Sequence, residues 1–166
     1  MKSRGVARWV SEVGIIAAIY AVLTIVLAPI SFGPIQCRIA EALTILPFFT
    51  TAAVPGLFIG CLIANAVAGG IGILDIVAGS LATLAAAAIT TKIKVKWLVP
   101  LPSVLVNAFV VGYVLYILNV MAGAPYLAIV GLVGIGQAVA CYGLGMPFLY
   151  LLTKYKNRIF TGQPRP

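Results

Sequence analysis

Four stretches of the chain, 10–28, 73–91, 103–121 and 127–152, each carry at most one charged side chain. A helix needs about 20 predominantly apolar residues to cross the hydrocarbon core of a bilayer, so these runs read as transmembrane helices. A fifth apolar stretch, 39–68, is too long for one ordinary span. It is interrupted at Pro47 and again in the run from Thr50 to Pro55. The residue before a proline is pushed out of helical geometry. Two short helices, 39–51 and 54–69, are therefore expected to meet at the Thr-Pro turn.

Charge decides the parity of the spans. Of eleven basic residues, Lys2, Arg4 and Arg8 precede the first run, Lys92, Lys94 and Lys96 share one loop, and Lys154, Lys156, Arg158 and Arg165 follow the last. Such clusters beside apolar runs mark the cytoplasmic side of a membrane protein. An even number of helices must then separate each pair of clusters, which four helices before Lys92 and two after it satisfy. The expectation is an all-α integral membrane protein of one domain, 1–166. Its six spans lie at roughly 10–28, 39–51, 54–69, 72–91, 103–121 and 127–152, with both termini cytoplasmic. The first apolar run continues to Ile30 without a convincing small-residue cleavage site, so it reads as a span rather than a signal peptide.

Composition excludes several classes. The chain is 63% hydrophobic and 8% charged, and eleven basic and three acidic side chains could not cover a soluble domain of 166 residues. The net charge of +8 is spent on membrane flanks, with no recognition motif, so nucleic acid is not a partner. Cys37, Cys61 and Cys141 form no C-x-x-C pair and there is no histidine, which leaves no ligand set for zinc and no expected cofactor. P-loop, H-E-x-x-H and G-x-S-x-G motifs are all missing. The chain is not expected to be an enzyme.

Polar residues are few enough to be informative. Glu12 sits beside the basic N-terminus and reads as an interfacial charge. Arg38 and Glu41 open the second span, Asp75 opens the fourth, and Asn65 lies near the end of the third. On the six-span topology all four gather at the outer end of the bundle. Ionisable groups within spans cost about 2.5–3.5 kcal/mol on insertion scales at the membrane centre and usually mark ligand or ion paths. Two readings stand. In one, Arg38 and Glu41 pair across a helical turn and Asp75 complements the helix dipole. In the other, these groups line a site under the loop at 29–37. Farther along, Asn107 reads as interhelical glue, and Gln137 either does the same or reaches a ligand. Tyr20, Tyr113, Tyr116 and Tyr126 are either interfacial belt or pocket wall.

Two further patterns concern the backbone. Ala28-Pro29-Ile30-Ser31-Phe32-Gly33-Pro34-Ile35-Gln36 and Gly69-Gly70-Ile71-Gly72 should be outer loops, and 161–166 a frayed tail. Gly14, Ala17, Ala18 and Ala21 give small-xxx-small pairs at 14/18 and 17/21 on the first helix. Gly131, Gly134, Ala138, Cys141 and Gly145 do the same on the last.

Several stretches together resemble a known family. They are Ala17-Ala18-Ile19-Tyr20-Ala21, the loop-to-helix segment from Ala28 to Phe49, Pro55 to Asn65, Leu74 to Leu84, and Cys141-Tyr142-Gly143-Leu144-Gly145-Met146-Pro147. With these the chain resembles the S components of energy-coupling factor (ECF) transporters, and within them the QueT group. The resemblance covers nearly the whole chain. It implies a six-helix bundle in the cell membrane, a substrate pocket near the outer surface, and a docking face on the first helix, here at Ala17 and Ala21. It also implies a transmembrane coupling subunit and two cytosolic ATPases as partners, which would supply the missing P-loop. The QueT group is associated with uptake of queuosine precursors, which are 7-deazaguanine compounds.

The residues suit that chemistry. A guanine-like base presents N1–H and an exocyclic amine, two parallel donors that one carboxylate accepts together, and charge-assisted bonds are roughly twice as strong as neutral ones. Glu41 and Asp75 are the expected acceptors. Arg38, Asn65 and Gln137 are expected around them, and Phe32 or Tyr126 as a stacking surface. A small secondary transporter or channel acting as an oligomer, with Glu41 or Asp75 as a proton-linked site, is the alternative. A scaffold without a ligand is a third.

Overall fold

The computed structural model describes residues 2–32, 37–68 and 72–159. The tip of the expected loop at 33–36, the glycine-rich link at 69–71 and the tail at 161–166 lie outside the described residues. Every regular element among the described residues is helical. In chain order they are α1 (Lys2–Val26), the single turn α2 (Ala28–Ser31), a 3-10 helix (Ile39–Phe48), α3 (Ala53–Ala68) and α4 (Ile73–Thr90). A 3-10 turn (Lys96–Leu98), α5 (Leu101–Ile117), α6 (Tyr126–Ala138), a π-helical segment (Val139–Leu144) and α7 (Gly145–Ile159) follow.

Four helical stretches are long and apolar enough to cross a membrane: Gly5–Val26, Ile73–Thr90, Lys96–Ile117 and Tyr126–Lys156. Ile39–Phe48 and Ala53–Ala68 are shorter apolar helices. At about 1.5 Å per residue α3 is roughly 24 Å long, and at about 2.0 Å per residue the 3-10 helix is roughly 20 Å long. The break between them falls at Thr50–Ala52, close to the expected turn. There Thr50 Oγ1 accepts from the Ala52 amide at 3.2 Å and donates to Glu12 Oε2 at 3.1 Å. Trp9 Nε1 donates to Thr51 Oγ1 at 3.3 Å. Glu12 also pairs with Arg8 at 3.1 Å, so the turn is tied to the start of α1. α1 begins nearer the N-terminus than residue 10 because its basic segment is helical too.

The 3-10 helix is the main departure from expectation. Runs of this geometry longer than three or four residues are uncommon, yet this one has 10 residues. Pro47 has no N–H to give to a helical ladder. Thr44 turns its hydroxyl back onto the Glu41 carbonyl at 2.6 Å, a local bond that competes with regular helix. The element packs against α1, α3, α4, α7 and the π segment, and it buries Ala40, Glu41, Leu43, Thr44, Ile45, Leu46 and Pro47. It occupies the middle of the bundle. The π segment arises just before Pro147, whose ring clashes with the carbonyl four residues earlier and removes one hydrogen bond. Gly145 lets this region approach closely, since a methyl there would meet Ile45 Cγ2 at 3.3 Å and the Ala42 carbonyl at 3.4 Å.

α1, α3, α4, α5 and α6 contact one another in that order. Ile16, Tyr20, Leu43, Ile45, Leu57, Cys61, Ala87 and Leu149 form the main core, and Val111, Leu115, Ile129 and Val133 a second one between α5 and α6. Large apolar side chains also cover the outside, including Ile15, Val22, Val77, Leu81, Leu127 and Ile135. An apolar exterior of this kind suits lipid rather than water.

On α1 the two small-residue pairs lie on adjoining faces of the helix and differ in burial. Ala17 and Ala21 are each 6% exposed, and the Ala17 carbonyl oxygen lies 2.7 Å from where a methyl would sit on Gly60 of α3. Neither side chain is open to a second protein in this conformation. Gly14 and Ala18 are exposed instead. Ala17→Trp should therefore overpack the α1–α3 contact, costing about 1–3 kcal/mol or more. Ala18→Trp should leave stability near the parent. Thermal unfolding of both variants in detergent distinguishes them, and equal transitions would contradict this packing.

Candidate functional site

One end of the bundle holds a concentration of buried polar groups. The C-terminal part of α1, the start of the 3-10 helix, the end of α3 and the start of α4 converge there. Arg38 is 5% exposed, Glu41 and Asn65 are fully buried, and Asp75 is 1% exposed. Gly72 enters α4 at φ 107°, a conformation open chiefly to glycine. This turn starts the helix so that Asp75 sits in its first turn, where the Asp75 amide donates to the Gly72 carbonyl at 3.1 Å.

Arg38, Glu41, Asn65 and Asp75 come together, without the Arg38–Glu41 pair that one of the two readings supposes. Among the described residues the one ion pair within contact distance is Arg8–Glu12. Arg38 lies within electrostatic range of both Glu41 and Asp75 without touching either. The cause is local backbone. Arg38 caps the 3-10 helix in extended conformation, φ −83° and ψ 102°, so its side chain does not leave along the column of residues that Glu41 belongs to. The guanidinium instead donates to Cys61 Sγ at 3.5 Å and stacks over the Phe32 ring at 5.0 Å, a favourable cation–π arrangement.

Two polar clusters flank Arg38. In the first, Asn65 Nδ2 donates to the Asp75 carbonyl at 3.4 Å and to Cys61 Sγ at 3.6 Å. Thr83 Oγ1 donates to the same sulfur at 3.4 Å. Gly79 makes room for this cluster: a methyl there would stand 3.1 Å from Asn65 Nδ2 and 3.6 Å from Asp75 Oδ1. In the second, Tyr20 donates its phenol to Glu41 Oε1 at 2.5 Å, and Cys141 Sγ donates to the Glu41 carbonyl at 3.6 Å. Asn107 Nδ2 donates to Gln137 Oε1 at 3.3 Å, a bond between α5 and α6. Asn107 also lies close to the Glu41 carboxylate.

What remains unpaired is the telling part. Glu41 Oε2, Asn65 Oδ1, both Asp75 carboxylate oxygens and Asn107 Oδ1 are buried without a hydrogen-bond partner among the described residues. A buried polar atom left unsatisfied costs about 1–3 kcal/mol, more for a charged group, so such atoms are rare and need a reason. Asn65 Oδ1 and the two Asp75 oxygens stand at this end of the bundle, while Asn107 lies in the half of α5 that begins at the opposite end. Unpaired buried acceptors of this kind fit a ligand that supplies donors.

The expectations from sequence do not include Cys61, Thr83 or the role of Tyr20. Cys61 stands four residues before Asn65, and Thr83 eight after Asp75, so helical spacing could have put them on the same faces. Tyr126 belongs elsewhere. It contacts the Tyr113 and Tyr116 rings at 6.0 and 5.8 Å and donates to the Phe109 carbonyl at 3.2 Å.

A bundle of long apolar helices with a buried, donor-seeking polar centre defines a multi-pass membrane protein equipped to hold a polar solute. The family model described as QueT transporter matches residues 10–154, and the chain belongs to the QueT transporter family. It is also 38% identical over 74 residues to a protein named queuosine precursor transporter QueT from Lactococcus lactis subsp. cremoris (strain MG1363). That match spans 43% of this chain and 43% of the relative's length. No solved structure matches the chain.

The Tyr20–Glu41 bond leads to a direct expectation. Tyr20→Phe removes the hydrogen bond to Glu41 Oε1 and should lower stability by about 1–3 kcal/mol. Thermal unfolding in detergent measures it. A transition equal to the parent's would mean that the phenol contributes nothing to holding the carboxylate.

Proposed function

We propose that this chain is the substrate-capturing membrane subunit of an ECF-type importer and that its substrate is a queuosine precursor of the 7-deazaguanine type. The buried, unpaired acceptors of Asp75, Asn65, Glu41 and Asn107 are the observation that carries this reading. They call for a ligand rich in N–H donors, and a deazaguanine presents them on a flat ring. The name of the Lactococcus lactis relative points to the same solute class. Phe32, already against the Arg38 guanidinium, is positioned beside the polar groups as an aromatic surface. Base–aromatic stacking is worth about 1–3 kcal/mol in other settings.

In this reading the two short apolar helices Ile39–Phe48 and Ala53–Ala68 complete six spans, with both termini and the Lys92–Lys96 loop cytoplasmic. The site then opens toward the outside. The coupling subunit of the importer, which recruits two cytosolic ATPases, docks on the exposed side of α1 at Gly14 and Ala18 rather than at the buried Ala17 and Ala21.

Thermal shift of the purified chain tests the substrate class, because a ligand bound to the folded state raises apparent stability by mass action. 7-Deazaguanine should raise the transition while adenine does not. Asp75→Asn should abolish the rise, and no shift of the parent with any deazaguanine would remove the substrate assignment. ATPase subunits should co-purify with the parent and be lost with Ala18→Trp. Their absence from the parent would favour a self-sufficient transporter.

Topology has its own test. With the native cysteines replaced, single cysteines at Lys94 and Lys156 should stay unlabelled when an impermeant thiol reagent is added outside intact cells. Labelling of either would overturn the six-span arrangement.

A further inference from the structure

At the end of the bundle opposite Asp75, the loop joining α4 to α5 alternates lysine with apolar residues from Lys92 to Trp97. Ile93 packs against the main core, and every residue from Lys94 to Leu98 is exposed. Trp97 is 66% exposed, yet its position is fixed. Tyr142 of the π segment donates its hydroxyl to the Trp97 carbonyl at 3.2 Å, and the two rings meet edge to face at 5.7 Å. Farther along the same helix, about 12 Å from Tyr142 at 1.5 Å per residue, the Lys96 ammonium stands 5.8 Å from the exposed Tyr150 ring of α7. Lys154, one helical turn past Tyr150, stands over the Tyr155 ring at 5.7 Å. The loop is thus clamped to α7, with two ammonium groups against aromatic faces and an indole nearer the middle of the bundle.

No side-chain carboxylate answers these charges. The chain has three acidic residues. Glu41 and Asp75 are buried, and Glu12 is engaged with Arg8 and Thr50. Trp97 Nε1 also finds no acceptor among the described residues. Any fixed counter-charge for Lys96 and Lys154 has to come from outside the chain. The surroundings indicate its kind. Val139 and Ile135, about one and two turns before Tyr142 and on the same face of the helix, are both exposed. A free anion or an acidic protein segment has no use for that apolar track, whereas a phospholipid fills it with an acyl chain. A zwitterionic headgroup brings its own ammonium, which the lysines repel, so the charge favours an acidic one.

We propose that Lys96, Lys154 and Trp97 form a binding site for an acidic phospholipid. The phosphate sits between the two ammonium groups, the indole N–H donates at the level of the glycerol esters, and an acyl chain runs along Val139 and Ile135. Trp97 suits that depth because its ring is apolar while its N–H needs a polar partner. Tyr142 and Tyr150 hold the loop in place and act as positioning residues. The site is independent of the transported solute and of which leaflet this end of the bundle meets.

Quenching of Trp97 fluorescence tests the site. Trp9 and Trp97 are the two tryptophans of the chain, so Trp9→Phe leaves a single reporter and serves as the background. The full chain is placed in phosphatidylcholine bilayers holding a minor fraction of phosphatidylglycerol, with bromine on the acyl chains of one lipid or the other. Brominated phosphatidylglycerol should quench Trp97 as though enriched about ten-fold over its bulk fraction. Lys96→Gln with Lys154→Gln should cut that enrichment to less than about two-fold. Lys92→Gln with Lys94→Gln removes the same charge and should keep more than about half of it. Quenching by brominated phosphatidylcholine shows in each variant that Trp97 still meets the bilayer. Inorganic phosphate, matched to chloride in ionic strength, should leave the enrichment unchanged. Equal losses in the two double variants would reduce the site to diffuse surface charge and overturn the proposal. So would the absence of enrichment in the background chain, which would leave the lysines to an acidic protein partner. Displacement by inorganic phosphate would overturn the lipid assignment in favour of a free anion.

Discussion

Arg38 is a guanidinium buried to 5% exposure with no carboxylate in contact, and the surrounding elements are arranged around that fact. A buried cation is tolerable only when opposite charge or hydrogen-bond acceptors lie near. Here Glu41 and Asp75 stand within electrostatic range, but on separate elements and turned to other tasks. A collapsed ion pair would have satisfied all three groups and closed the site. Keeping them apart needs rigid supports. Tyr20 holds Glu41 from α1, the glycine turn at Gly72 holds Asp75, and Phe32 with Cys61 holds the guanidinium.

The supports themselves rest on close helix contacts. Gly60 admits the backbone of α1 near Ala17 and Tyr20, and Gly79 admits Asn65 against α4. Each contact fixes a polar side chain by bringing two backbones together, in keeping with how membrane helices associate through small residues. Packing and the placement of the polar groups are therefore coupled. The residues that let α1, α3 and α4 approach one another are also those that set where Tyr20, Asn65 and Asp75 point.

Depth along the chain was legible in the sequence; direction around each helix was not. Arg38, Glu41, Asn65 and Asp75 could be placed at one end of the bundle because basic clusters and apolar run lengths fix how far along its helix each residue lies. Whether Arg38 touches Glu41 depends on the backbone at a single capping residue, which spacing alone does not reveal. The same limit applies to α1. Gly14/Ala18 and Ala17/Ala21 are both spaced four apart, but only contact with Gly60 decides which pair is spent inside. The break near Thr50 was visible because proline and threonine mark it. The 3-10 geometry before it was not, since Ile39–Phe48 is apolar on nearly every side and has no period to read.

That 3-10 helix and the π segment are both irregular, and they face each other inside the bundle. In a low-dielectric setting, irregular backbone survives only where protein buries and satisfies it. Here the Glu41 carbonyl accepts from Thr44 within its own element and from Cys141 of the π segment, and Thr44 Oγ1 stands 3.9 Å from the same sulfur. Each stretch thus supplies part of what the other lacks. The arrangement bears directly on the polar centre, because the residue whose carbonyl joins the two elements is the one whose carboxylate accepts from Tyr20. A regular α-helix at 39–48 would rotate Glu41 by a different angle per residue, about 100° rather than 120°. Its side chain would then be carried away from Tyr20 and Asn107.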